Sequence, residues 1–309
     1  MNREGANNPW AVELYGYGQV GRALVPLLRR NGWLLASVHD RKGIRRRRPV
    51  GNARRVVVDA TSPAYTGDAA ERWVLHLEQI LAGGTPVVTC NKAPLALSWS
   101  RLARAAQRGG TTLSCAATVG GGTPVLLFLE RLQQSHGVER VDAWLNITLG
   151  FLCAQIAQGA SLSNALRRAQ EAGWAEPDPT LDLNGTDLYA KGVIIHNLLF
   201  SSQPPLTLIG DRPLLRLDEN ALRQRSRHGG VPQVRCTITP GRVRLSIDAT
   251  YPLASAKTGF AEVRAALCGG GEAWVSGPGA GPRVTAQALI GDLKALAGAG
   301  PIRLGAVIP

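Results

Sequence analysis

The residues that most restrict what this chain can fold into are Gly16-Tyr17-Gly18-Gln19-Val20-Gly21. They directly follow Val12-Glu13-Leu14-Tyr15, whose apolar and polar alternation predicts a strand. Directly after them, residues 22–30 place Ala23, Leu24, Leu27 and Leu28 on one helical face, with Gly32 just past the end. In a strand–turn–helix setting the G-x-G-x-x-G pattern has a mechanical meaning. Gly16 permits the tight turn, Gly18 lets a pyrophosphate approach the backbone, and Gly21 lets helix and strand pack closely. The expectation is a dinucleotide cradle of Gly16, Gly18, Gln19, Val20 and Gly21, with phosphates on the free N–H groups of the helix.

The residues beyond Gly32 extend that unit. A second strand at residues 34–38 ends in His39-Asp40, and Asp40 stands 19 residues beyond Gly21, about where an acid meets the ribose hydroxyls. Residues 41–55 then hold eight basic side chains and no acidic one. An acid alone favours NAD, whereas Arg41 and the run Arg45 to Arg48 favour the 2′-phosphate of NADP, the competing reading being a solvated loop. Between the two cofactors the basic run tips the expectation slightly to NADP. Residues 55–61 and 85–89 read as buried parallel strands, with a helix over 68–82 between them and a further strand at 113–116. This alternation predicts a Rossmann-type, doubly wound parallel sheet. Asp40, Thr61, Asn91, Lys92 and the turn Gly120-Gly121-Gly122 all fall at carboxyl ends of strands, where such sheets bind ligands.

The formal charge of +13 invites a nucleic-acid reading. Of 35 basic residues, however, only five are lysine, so a general arginine bias accounts for the excess and a nucleic-acid partner is not expected. The five cysteines are widely spaced and form neither a C-x-x-C pair nor a cluster with histidine, so no disulfide framework and no metal site are expected. No run approaches the ~20 apolar residues of a membrane span, and no secretory signal opens the chain. A cytoplasmic protein without a membrane partner is the expectation.

From Ala169 the sequence reads AQEAGWAEPDPTLDLNGTDLYAK, ending at Lys191. Five carboxylates precede this lysine, and Pro177 and Pro179 keep the acidic part out of helix. Gly185 then opens a helix on which Asp187 and Lys191 share a face. A surface helix with one ion pair accounts for the last two residues. The acidic, proline-constrained turn fits a small substrate carrying an ammonium group.

The pattern Ala169-x-x-x-Gly173, Ala175, Asp178-Pro179-x-x-Asp182-Leu183-x-Gly185-x-Asp187-x-x-x-Lys191 resembles the signature of the homoserine dehydrogenase family, Trp174 being its irregular position. The resemblance extends to the glycine loop, residues 56–62, residues 89–92, the turn at 119–124 and Gly277-Pro278-Gly279-Ala280-Gly281. It implies NAD(P)-dependent interconversion of homoserine and aspartate semialdehyde, an amino-acid biosynthetic role, and a homodimer. It implies Lys191 and Lys92 as the catalytic lysines, and Glu176, Asp182, Asp187, Asn146 and Thr148 as substrate contacts. To the cofactor it gives the glycine loop with Thr61, Asn91, Lys92 and Gly281.

Departures from the family stand beside these matches. Leu145-Asn146-Ile147-Thr148-Leu149-Gly150 carries Ile147 and Leu149 where smaller or hydroxylated residues are usual, which implies an altered pocket unless both face the core. Ala116 replaces an acid that the family often places near a monovalent cation, and residues 252–262 also depart. A related dehydrogenase for another amino aldehyde, and a non-catalytic nucleotide-binding protein, are the alternatives. The expected organisation is a nucleotide domain at residues 1–120, an α+β substrate and dimerisation domain at 121–277 with strands at 141–147, 234–238 and 243–249, and residues 278–309 packing back on the first. On this layout no regulatory domain is expected after the helix at residues 285–296.

Overall fold

The computed structural model describes residues 10–208, 214–226, 231–248 and 260–298. They fall into two compact units, one of residues 10–118 with 281–298, the other of those between 119 and 280.

In the first unit the glycine loop joins β1 (Trp10–Tyr15) to α1 (Gln19–Arg30), and β2 (Leu34–Asp40) comes after. Next come β3 (Gly43–Arg47), β4 (Arg54–Asp59), α2 (Gly67–Ala82), β5 (Val87–Thr89), α3 (Lys92–Arg108) and β6 (Leu113–Ser114). A 3-10 turn, Ala116–Thr118, ends the run. The sheet order is β3-β2-β1-β4-β5-β6. All neighbours are parallel except β2 and β3, which form an antiparallel hairpin. The basic run is therefore neither a loop nor part of a purely parallel sheet: its first half is an edge strand. Cationic side chains suit that place, because they discourage another strand from pairing there.

Parallel strands covered on both faces read as near-continuous apolar runs, and β4 buries Val56, Val57 and Val58 together. On one face Val12, Leu14, Val56, Val58 and Val88 pack with Leu24 and Leu28 of α1. The same core takes Ala286, Leu289, Ile290 and Leu293 from α10 (Pro282–Leu296). On the other face the rings of Trp73 and His76 of α2 sit 5.4 and 5.2 Å from that of Tyr15.

The second unit begins with α4 (Val125–Ser135) and β7 (Val138–Trp144). After them come α5 (Ile147–Ala157), α6 (Leu162–Glu171), α7 (Thr180–Leu183), α8 (Thr186–Leu199) and α9 (Glu219–Ser226). Four strands complete it: β8 (Gln233–Thr239), β9 (Arg242–Asp248), β10 (Phe260–Leu267) and β11 (Glu272–Pro278). They form an antiparallel sheet with β7, in the order β11-β10-β7-β8-β9. The strand expected at residues 141–147 ends at Trp144, and Ile147 already lies in a helix. Both β10 and β11 escape a reading based on apolar runs, since Glu262 and Arg264 interrupt the first and Glu272, Ser276 and Gly277 the second. Position 249 and the departure at residues 252–259 lie outside the described residues.

Helices α4, α5 and α8 pack on this sheet. Gly192 makes the contact of α8 close, since a Cβ there would stand 2.6 Å from the Cys236 Sγ. The strands also carry an ionic ladder: Asp142 accepts from Arg140 and Thr237, Arg235 pairs with Asp248, and Arg264 donates to Glu262.

A buried acid ties α10 into the first unit. Asp292 is 2% exposed and accepts from the Ala117 N–H at 3.4 Å. Burial pushes its carboxyl up to about 7, against the pull of the Ala117 and Ala116 N–H groups. A folded-state value above the unfolded 3.8 gives stability that is complete below 3.8 and lost as pH rises through about 7. Asp292→Asn removes this dependence. In urea titrations its unfolding free energy should gain on the wild type by roughly 4 kcal/mol between pH 4 and pH 7 and run parallel above that. A difference constant across the range would show that Asp292 does not titrate there.

Candidate active site

The glycine loop has the form its three glycines predict. Gly16 has φ +94°, and a Cβ there would lie 2.2 Å from the Ala60 carbonyl oxygen. A Cβ on Gly21 would lie 2.1 Å from the Gly16 oxygen, whereas one on Gly18 meets nothing within 4 Å. The first and third glycines thus allow backbone contacts, and the second faces open space. No side chain caps α1 at Gly18, and its first turn holds no acid. The N–H groups of Gln19, Val20 and Gly21 have no partner within the helix, the arrangement that receives phosphate. These residues fit a dinucleotide.

Asp40 ends β2, and its carboxylate is already engaged. One oxygen accepts from the Lys42 N–H at 2.8 Å and the other from the Arg45 guanidinium. Hydrogen bonding and charge from Arg45 hold the Asp40 carboxyl below its usual range. Arg45 also lies over the Tyr17 ring at 5.7 Å, with Arg22 at 5.8 Å from the same ring. Arg41 and Arg48 are exposed on the hairpin and its continuation. Arg22 was absent from the expected set, because nothing in sequence links the first turn of α1 to a hairpin twenty residues on.

At the ends of β4 and β5, Thr61 and Asn91 come together, with Asn91 Nδ2 donating to Thr61 Oγ1 at 2.9 Å. Thr61 donates directly to Asp59, and Asn91 reaches it through Thr89; Asp59 is a fully buried acid that sequence reading passed over as the end of an apolar strand. The signal was there, since an acid closing such a run needs a reason. Asn91 caps α3 by accepting from Ala93 N–H, which places Lys92 at the first helical position. Gly281, with φ +129°, precedes α10.

In the second unit the acidic motif and the Asn146 stretch converge. Gly185 turns the chain into α8 with φ +81°, where a Cβ would press on Leu215 and Leu245. Most of α8 is buried, so Asp187 and Lys191 belong to a core helix rather than the surface helix their spacing allowed. The Lys191 Nζ donates to the Leu145 carbonyl at 2.6 Å and to Asp187 at 2.7 Å. Its side chain is only 12% exposed. Asn146 caps α5 by accepting from the Leu149 N–H, and its Nδ2 donates to Asp182 at 2.6 Å and Asp187 at 3.2 Å. Burial, and then the nearby charge of Asp187, raise the Asp182 carboxyl above its usual range, against the Asn146 hydrogen bond. The result is one lysine, two carboxylates and one amide in contact, able to hold an ammonium group and pass a proton.

Thr148 stands beside Asp182, while the Glu176 side chain makes no hydrogen bond to the cluster among the described residues. Glu176 is exposed, and only its backbone carbonyl is hydrogen bonded among the described residues, accepting from Gln170 at 3.2 Å. Thr148 is 4% exposed and donates to the Trp174 carbonyl at 2.8 Å. Leu149 is fully buried, facing the core, while Ile147 is half-buried on the first turn of α5. The altered-pocket expectation fails at Leu149, because helical rather than strand geometry turns it inward. Leu149→Thr should therefore destabilise by roughly 2–4 kcal/mol, through lost packing and a buried hydroxyl. Urea unfolding checks it; an unchanged unfolding free energy would return Leu149 to the pocket.

A family model described as homoserine dehydrogenase matches residues 124–293. The homoserine dehydrogenase of Methanocaldococcus jannaschii is 29% identical over 251 residues, covering 77% of this chain and 71% of that protein. An NAD(+)-dependent homoserine dehydrogenase of Pseudomonas canavaninivorans is 28% identical over 72% of this chain and 64% of its own length. Among solved structures, a hyperthermophilic archaeal homoserine dehydrogenase in complex with NADPH superposes with TM-score 0.75 at 22% identity, covering 94% of this chain and 98% of that one. The family model spans more than half of the chain and includes the whole lysine–carboxylate cluster, and on that match the chain belongs to the homoserine dehydrogenase family.

Proposed function

We propose that this chain interconverts L-homoserine and L-aspartate 4-semialdehyde, with Lys191 moving the proton and NADP as the preferred cofactor. The observation that carries the reading is the bonding of Lys191. An ammonium has three N–H donors, and Leu145 and Asp187 take two of them. The third is left for the oxygen of a substrate.

Bound nicotinamide supplies or accepts the hydride. In reduction the carbonyl carbon gains that hydride, the C=O π pair moves to oxygen, and the oxygen takes the proton from Lys191 Nζ. Oxidation returns the proton to the same nitrogen. Asp187 balances the lysine charge, and Asp182, oriented by Asn146, receives the substrate ammonium. Lys92, beside Asn91, takes the second lysine role that the family resemblance implies. Glu176 contributes no contact to the cluster and is left out of this assignment. The ionic ladder of the second sheet, with Trp274 67% exposed on β11, marks the surface proposed for a homodimer.

The cofactor preference rests on Arg45 and Arg22 flanking Tyr17, and on Asp40 already holding Arg45. A carboxylate so engaged is a poor acceptor for a ribose hydroxyl, while guanidinium groups nearby suit a 2′-phosphate.

Lys191→Ala should lower kcat/KM by at least ~10²-fold while leaving the Kd for NADPH unchanged. Retention of more than about a tenth of wild-type kcat/KM, outside the usual acid–base contribution, would remove Lys191 from proton transfer. For the cofactor, Arg45→Ala should weaken NADPH binding about tenfold and strengthen NADH binding, since it removes a phosphate partner and frees Asp40 at once. Equal changes in the two Kd values would make the hairpin irrelevant to the choice.

A further inference from the structure

We propose that Asp59 is the positioning residue that sets the direction of the hydrogen bonds presenting Asn91 to the nicotinamide half of the nucleotide. The inference rests on reading the first unit as a nucleotide site. Burial pushes the Asp59 carboxyl above its usual range, and the four donors that converge on it pull the other way and favour the ionised form, which only accepts. One oxygen of Asp59 takes the Thr61 N–H at 3.0 Å and the Thr61 hydroxyl at 2.6 Å. The other takes the Trp73 indole N–H at 3.0 Å and the Thr89 hydroxyl at 3.0 Å. Each threonine has one hydroxyl proton, and each gives it to Asp59, so each hydroxyl oxygen can then only accept.

Asn91 meets both of those oxygens. Its backbone N–H donates to Thr89 Oγ1 at 2.9 Å, and its Nδ2 donates to Thr61 Oγ1 at 2.9 Å. Its Oδ1 accepts from the Ala93 N–H at 3.0 Å. The amide is thereby locked with nitrogen toward Thr61 and oxygen toward α3. Nδ2 carries two protons, and one serves Thr61. The second is a donor for a ligand oxygen, such as the carboxamide or a ribose hydroxyl. A single buried acid thus decides which way a four-residue network points.

The topology says which end of the ligand this concerns. Thr61 and Asn91 lie beyond the ends of β4 and β5, on the side of β1 away from β2, whereas the adenosine ribose belongs at the end of β2. Loss of Asp59 should therefore affect the nicotinamide half and spare the adenosine half.

Binding of NADPH and of adenosine 2′,5′-bisphosphate, measured by titration calorimetry, separates this role from general scaffolding. Asp59→Asn and Thr89→Val should each raise the NADPH Kd roughly tenfold, equivalent to ~1.4 kcal/mol, and leave the bisphosphate Kd unchanged. Thr89→Ser, which keeps the hydroxyl, should bind both as the wild type does. If Asp59→Asn does not fold, the Thr89 pair carries the comparison alone. Equal losses for the two ligands would make Asp59 a structural residue only, and no loss for either would likewise overturn the proposal. Wild-type protein that binds neither ligand would remove the nucleotide reading itself.

Discussion

The first unit hangs on a backbone contact that no side chain could survive. At Gly16 the chain leaves β1 with positive φ and passes so close to Ala60 that a Cβ would collide with its carbonyl. Gly21 repeats the constraint one turn later against Gly16 itself. With both contacts made, α1 starts at the end of β1 with its N–H groups aimed outward, and the ends of β4 and β5 come level with it. Everything assigned to the cofactor, from Gln19 to Thr61 and Asn91, depends on this packing of main chain on main chain. Polar side chains then refine what the backbone has placed.

The second unit reaches its chemistry differently. Its reactive groups sit on a helix packed into the core, where Gly192 lets α8 lie close to β8 and β9. A lysine in such a place is costly unless its charge is matched and its donors are used. Asp187 matches that charge and, with the Leu145 carbonyl, takes two of its donors, so the fold and the proposed chemistry call on the same contacts. Asn146 is the economical part: it caps one helix and bridges two carboxylates with the same amide.

Much of this was legible from residue order. The strand–glycine loop–helix and the spacing of Asp187 and Lys191 are local patterns, and local patterns survive translation into structure. The start of α5 did not, because an apolar run such as residues 147–153 fits a buried strand as well as a buried helix until its cap is known. The cap, Asn146, was read for chemistry and not for geometry. Residues 43–47 escaped for the opposite reason: charge resembles a loop, and only pairing with β2 reveals an edge strand. Asp59 left a signal, an acid closing an apolar strand, but its bond to Thr89 spans 30 residues, and Asp292 lay beyond sequence reading because its partner is 175 residues away.

The return of α10 to the first unit also bears on how the molecule is made. Residues 119–280 are in effect an insertion, entered and left through one pinned neck: Gly122 donates to the Pro278 carbonyl at 3.0 Å, and Gly121 tolerates no Cβ against Gly279. On a ribosome the inserted unit can close before the outer one has all its parts. The core around Val12, Leu24 and Val58 meanwhile lacks Leu289, Ile290 and Leu293 until α10 has emerged. Nascent chains would therefore carry an unfinished, apolar nucleotide unit throughout synthesis of the insertion, the state most exposed to aggregation and chaperone capture.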